Sequence, residues 1–171
     1  MKSTNKCLKE WNATIEGLGW GKQTILIRNY RTNITKFLLY PTVSYASKDN
    51  YLESFQGKYQ KFVKENALPE KKDDKVLIKY YATLEKIIEK PVSRIPSVKN
   101  YIWTRDHVKN YMTGKTAFIW ALRVYKLKKP YWADPTPGAI RYANLKEAVS
   151  LEGMVPVLSE TGLEKAITLL E

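Results

Sequence analysis

The chain of 171 residues carries one cysteine and one histidine. Cys7 alone cannot close an intrachain disulfide, and one thiol with one imidazole is too little for a thiolate-rich or histidine-rich metal centre. No window approaches the roughly 18 to 20 uninterrupted apolar residues that a membrane-spanning helix requires. Residues 1–11 are charged and mixed, without the apolar stretch of a secretory signal, and the last residues carry no sorting or lipid-anchor pattern. These absences predict a cytoplasmic protein with no membrane partner.

Catalytic motifs are scarce as well. Gly17-Leu18-Gly19-Trp20-Gly21 lacks the Lys-Ser or Lys-Thr that closes a phosphate-binding loop, and the segment after it reads as strand, so a hairpin is expected there. No serine sits in a nucleophile elbow. The only Glu-x-Lys, Glu70-Lys71-Lys72, falls with Asp73 and Asp74 in a charged loop, a poor platform for the preorganised Mg²⁺ site of a restriction nuclease. His107 has no identified neighbour and is expected on the surface. No cofactor and no metal site are expected, and no residue set names a reaction.

What is abundant is positive charge: 29 Lys and Arg face 17 Asp and Glu, a net +12. Residues 1–130 hold 26 of the basic and 11 of the acidic residues, whereas residues 131–171 hold 3 and 6. The division predicts a basic α+β core over 1–130 and an acidic C-terminal extension over 131–171 that packs on it, one domain in all. A polyanion is the first partner to consider.

Apolar periodicity supplies the elements. Residues 11–18 and 23–28 read as strands joined through Gly19-Trp20-Gly21 and paired antiparallel, and 36–40 as a strand stopped by Pro41. Apolar residues at spacings of three and four predict one helix over about 48–65. Residues 76–89 are read as strand, 104–112 as a short helix capped by Thr104, and 116–127 as a central strand. Two C-terminal helices are expected over 144–151 and 159–170. The order argues for α+β architecture: a small, curved, mostly antiparallel sheet or partly open barrel with interspersed helices and a helical C-terminal segment.

The strongest local pattern runs from residue 94 to 129. Arg94, Lys99, Arg105, Lys109, Lys115, Arg123, Lys126, Lys128 and Lys129 oppose one acid, Asp106, and are interleaved with aromatics that include Tyr101 and Trp103. Cations release counterions from phosphates and exposed rings stack on bases, so this stretch is the candidate nucleic-acid surface, for DNA or RNA. Arg28 and Arg123 lie in apolar strand contexts where a lone guanidinium is costly to bury. Each needs solvent, a carboxylate such as Glu10 or Glu16, or a phosphate, which makes the two a candidate anion clamp.

Several blocks together resemble the family called domain of unknown function 1802: Lys9-Glu10-Trp11, residues 21–28 (GKQTILIR), residues 37–42 (FLLYPT), Ile102-Trp103-Thr104 and residues 122–127 (LRVYKL). The resemblance runs from about Leu8 to the end of the chain. It implies no established activity, but the company some members keep with restriction-endonuclease domains implies a link to DNA restriction or defence and a nuclease partner. This chain departs from the family pattern in two places. Residues 29–35 are shorter and lack glycine, and Tyr45 stands near the place of a family histidine. The leading expectation is a non-catalytic nucleic-acid-binding accessory protein. The alternatives are an enzyme or sensor of a nucleotide or phosphorylated small molecule, and a protein-interaction module whose surface includes Trp132 and Tyr142.

Overall fold

Two long strands organise the chain in the computed structural model, which describes residues 2–138 and 140–171. They are β5 (Lys75–Pro91) and β6 (Thr116–Ala133), paired antiparallel along nearly their whole length. Around them stand β1 (Ser3–Trp11), β2 (Ile25–Arg28), β3 (Lys36–Thr42), β4 (Lys71–Lys72), β7 (Tyr142–Ser150) and β8 (Val155–Pro156). The main order is β2-β6-β5-β3-β1-β7, with β4 on β5 and β8 on β6. Among the described residues only β1 and β3 pair parallel. Helices α1 (Asn12–Gly19), α2 (Gln60–Glu65), α3 (Arg105–Tyr111) and α4 (Glu160–Thr168) are interspersed. The architecture is α+β, with a sheet that is curved but not closed.

The curvature follows from one contact. Glu10 on β1 and Arg28 on β2 are separated by β3, β5 and β6 in the sheet order, about 19 Å in a flat sheet at a strand spacing near 4.8 Å. Their side chains nevertheless form an ion pair. The sheet therefore curls until its first and fifth strands face each other. Inside the curl lies the larger core, with Leu8, Ile25, Leu26, Phe37, Leu39, Ile102, Ile119 and Trp120 nearly or wholly shielded from solvent. A second core fills the other half of the long ribbon, where Cys7, Leu38, Ile78, Tyr81, Leu127, Leu145 and Val149 meet. Residues 131–171 supply the end of β6, all of β7 and β8, and α4.

Several expectations give way to tertiary structure. In the run 11–18, read as a strand, only Trp11 is strand, ending β1; residues 12–18 belong to α1, and Asn12 through Leu18 are all buried. A helix enclosed on every side has no polar face, so the 3.6-residue signal is missing. Gly19 ends it against Tyr80, where an added Cβ would lie 2.1 Å from the ring. The expected hairpin is absent, and β2 pairs with β6 instead. Residues 3–11, charged and mixed in the sequence, form β1, which lies between β3 and β7 and buries Cys7 and Leu8.

The single helix over 48–65 is replaced by short 3-10 turns and α2. Between them residues 54–56 run extended against 102–104. Gln56 N–H donates to the Ile102 carbonyl at 3.0 Å, Thr104 N–H donates to the Ser54 carbonyl at 2.9 Å, and the Gln56 side-chain amide reaches the carbonyls of Val98, Tyr101 and Trp103. Those bonds cannot form on an unbroken helix. Residues 144–150 belong to strand β7, not a helix: Ala143 and Leu145 are buried while Asn144 and Lys146 are exposed, a period of two. β3 runs through Pro41, because β5 pairs only with residues 36–38 and leaves one side of the strand free where a missing N–H costs nothing. Thr104 caps α3 as read, accepting from His107 N–H, and the C-terminal helix α4 starts on a cap of its own, with Ser159 accepting from Gly162 N–H.

Among the described residues no helix is long and apolar enough to cross a membrane. Burial pushes the Cys7 thiol up to about 12, so it stays protonated and shielded. Ellman's reagent at pH 8 is expected to leave the folded protein unmodified and to titrate one thiol per chain in denaturant. Rapid reaction of the native protein would contradict this packing.

Candidate functional site

The curl leaves a cleft of about 900 Å³ at its mouth. Three strand ends reach it: Lys9, Glu10 and Trp11 from β1, Ile27 and Arg28 from β2, and Tyr40, Pro41 and Thr42 from β3. Helix α3 contributes His107, Val108 and Tyr111, which share one face. The tight β4–β5 turn adds Asp73 and Asp74, and the loop before β7 adds Thr136, Ile140 and Arg141. Asp73 holds a positive φ of 55° in that turn, a conformation aspartate tolerates better than most residues.

The floor is the Glu10–Arg28 pair, with the two side chains only 9% and 10% exposed. One Glu10 oxygen accepts from Trp11 N–H at 2.9 Å and the other from Arg28 Nη2. The guanidinium also lies over the Trp120 ring, 5.8 Å from its centre. Burial works against the Arg28 charge, but Glu10, with Tyr111 and Tyr30 adding to it, outweighs burial and holds the proton more firmly than usual. Among the described residues no protein oxygen accepts from Arg28 Nε or Nη1. Arg28 thus lines the cleft as a fixed cation with donors to spare.

Rings form one wall. Trp11 stacks on Tyr45 with centroids 4.7 Å apart and meets His107 on a tilt at 5.2 Å. Tyr45, near the place of the family histidine, is a structural group: its hydroxyl donates to the Ala67 carbonyl and accepts from Ala13 N–H. Burial pushes His107 below the ordinary imidazole range; Glu10 pulls the other way and Lys48 reinforces the shift, so the ring is uncharged at neutral pH. The surface position expected for His107 is therefore corrected to a cleft wall. At the rim, Arg141 covers the Tyr30 ring at 3.7 Å, and Lys9 Nζ donates to the Gly138 carbonyl at 2.9 Å.

The residues singled out in the sequence scatter more widely. Arg123 is held by Glu85 at 2.6 Å through Nε and by Glu160 through both terminal nitrogens. These carboxylates occupy its donors, and Arg123 does not line the cleft with Arg28, so the two form no common clamp. Tyr101 and Trp103 are 0% and 5% exposed. They are core rings and offer no open face to a base, although Trp103 reaches the cleft wall. Arg105 is half-buried and donates to the Ile95 carbonyl at 3.3 Å. Arg94, Lys99, Lys109 and Lys115 are exposed around α3, while Lys126, Lys128 and Lys129 are exposed toward the far end of β6. None of these cations lines the cleft.

Tyr111 belongs to that pattern, whereas the cleft residues outside it, Lys9, Trp11, Tyr30 and Arg141, come from three further segments. The large exposed apolar side chains, Trp20, Leu68, Tyr111, Ile140, Val155 and Leu169, also lie on separate segments. Trp132 and Tyr142 are half-buried. Among the described residues no three His, Cys, Asp or Glu side chains gather as metal ligands do.

The family model of a domain of unknown function, DUF1802, matches residues 7–168, nearly the whole chain. The chain belongs to the DUF1802 family. Four of the five sequence blocks that resemble DUF1802 meet at the cleft, through Lys9 to Trp11, Ile27 and Arg28, Tyr40 to Thr42, and Trp103. No curated protein sequence matches this DUF1802 chain. Among solved structures it is similar to the crystal structure of ASCH from Zymomonas mobilis, at 13% identity and a TM-score of 0.49 over 97% of this chain and 95% of that one. A point variant of that protein aligns at 12% identity and a TM-score of 0.49 over 100% of both chains.

Removing one member of the floor pair leaves the other buried and unpaired. Glu10→Ala is expected to destabilise the fold by about 3–5 kcal/mol, read from urea denaturation. The double variant Glu10→Leu with Arg28→Met is expected to recover much of that loss. A Glu10→Ala effect below about 1 kcal/mol would contradict the pair's place in the curl.

Proposed function

We propose that this DUF1802 protein binds a nucleic-acid strand in single-stranded form, without cutting it, and seats one unpaired nucleotide in the cleft. The observation that carries the reading is the combination of a buried, partly unsatisfied Arg28 with rim cations and accessible rings in a single cavity. Its volume, about 900 Å³, is in the range of ligand pockets. Arg28, Lys9 and Arg141 suit phosphate or carbonyl oxygens. Tyr111, 41% exposed, offers a free ring, and a base stacked on such a ring gains about 1–3 kcal/mol.

Arg94, Lys99, Arg105, Lys109, Lys115, Lys126, Lys128 and Lys129 then act mainly as a diffuse positive field. They raise the encounter rate and the salt sensitivity, and they do not read the strand. In a DNA-restriction or other defence setting, the role the family resemblance suggests, such a protein would present a strand to a nuclease partner. The second reading, a sensor or enzyme of a nucleotide or phosphorylated small molecule, draws on the same cavity, whose size also suits one small ligand.

Fluorescence anisotropy with labelled single-stranded DNA and RNA 12-mers tests the proposal. Binding is expected at low salt, falling linearly in log Kd against log salt. The pair Arg141→Ala and Tyr111→Ala is expected to weaken it at least tenfold at fixed salt, whereas Lys128→Ala with Lys129→Ala mainly flattens the salt slope. Absence of binding at low salt, or full affinity in the Arg141 and Tyr111 variants, would overturn the cleft assignment.

A further inference from the structure

A second cavity of about 470 Å³ adjoins the cleft. Trp11, Ser44 and His107 line both, so the Trp11–His107 contact is a shared wall between two chambers. The second chamber differs in chemistry from the first. Its lining is mostly amide, hydroxyl and carboxylate: Asn50, Ser54, Asn110, Thr104, Glu53 and Asp106. Its one cation is Lys48, close enough to His107 to push that ring's pKa down.

From this juxtaposition we infer that the two chambers are consecutive subsites for adjacent nucleotides of one strand, with the linking phosphodiester crossing the shared wall between Arg28 and Lys48. The inference rests on the nucleotide-binding reading of the cleft. The chemistry of each part fits its place. Rings line both chambers, but the first holds the buried guanidinium and the exposed Tyr111 ring and takes a base with its phosphate. The second is rich in neutral donors and in acceptors, which suit sugar hydroxyls and the polar edge of a base more than a phosphate. An uncharged His107 lets the strand pass over the wall without an added charge, and Lys48, exposed on the far side, meets the phosphate that has crossed. The minimum tight ligand is then two nucleotides long.

Isothermal titration of the full chain with a mononucleotide, its dinucleotide and its trinucleotide reads the inference directly. The dinucleotide is expected to bind at least tenfold more tightly than the mononucleotide, and the trinucleotide little more tightly than the dinucleotide. Lys48→Ala combined with Asn110→Ala, both at exposed positions, is expected to abolish that step and leave mononucleotide affinity within twofold. Equal affinity for mono- and dinucleotide would overturn the two-subsite inference while leaving the cleft as a nucleotide site. So would a Lys48 and Asn110 variant that keeps the step, or one that weakens both ligands alike. Failure of all three ligands and of longer strands to bind would remove the reading on which it rests.

Discussion

The ion pair between Glu10 and Arg28 is the constraint on which the cleft depends. It joins two strands that the sheet order holds apart, and it does so where water is largely excluded. Burying a charged pair gains little net stability over an apolar pair of similar volume. Its consequence here is geometric. The curl is held at the width of one guanidinium–carboxylate contact, so the ends of β1, β2 and β3 stand around a cavity instead of collapsing on one another. The same pair leaves a cation with free donors on the floor. One side chain thus serves the scaffold and lines the cleft.

Arg123 shows why this is a property of place and not of residue type. Both arginines sit in strands among apolar neighbours. Arg123 meets two carboxylates that occupy both edges of its guanidinium, and the cation is spent on fastening α4 to β6 and β5. Arg28 meets one carboxylate, itself partly engaged by Trp11 N–H, and among the described residues no protein oxygen takes its other donors, while its side chain lines the cleft. Satisfied charge is structure; charge with donors to spare beside a cavity is a candidate for recognition.

Legibility in the sequence divided along the same physical line. β-branched and aromatic content identified β5, a run apolar on both faces identified β6, the Thr104 cap identified α3 and one apolar face identified α4, because those signals are local. Helix α1 was opaque because burial on all sides erases amphipathicity, and the 48–65 helix failed because Gln56 and Ser54 find partners at residues 102–104, nearly fifty positions away. The need of Arg28 for a carboxylate such as Glu10 was readable from the cost of burying it. The cleft was not. Its residues come from six segments with no shared spacing, and charge density along the chain drew attention to Lys115 through Lys129, cations that do not line the cleft. The resemblance to DUF1802 was the better pointer, since most of the quoted blocks end at the cleft.

The central claim is that the curl's mouth, and not the basic stretch of β6, holds the ligand. Ultraviolet cross-linking of a bound single strand, followed by mass spectrometry of the attached peptides, tests it most directly. The account predicts cross-links within residues 9–11, 28–30, 103–111 and 140–142. Cross-links confined to residues 126–132, with none in those segments, would contradict it.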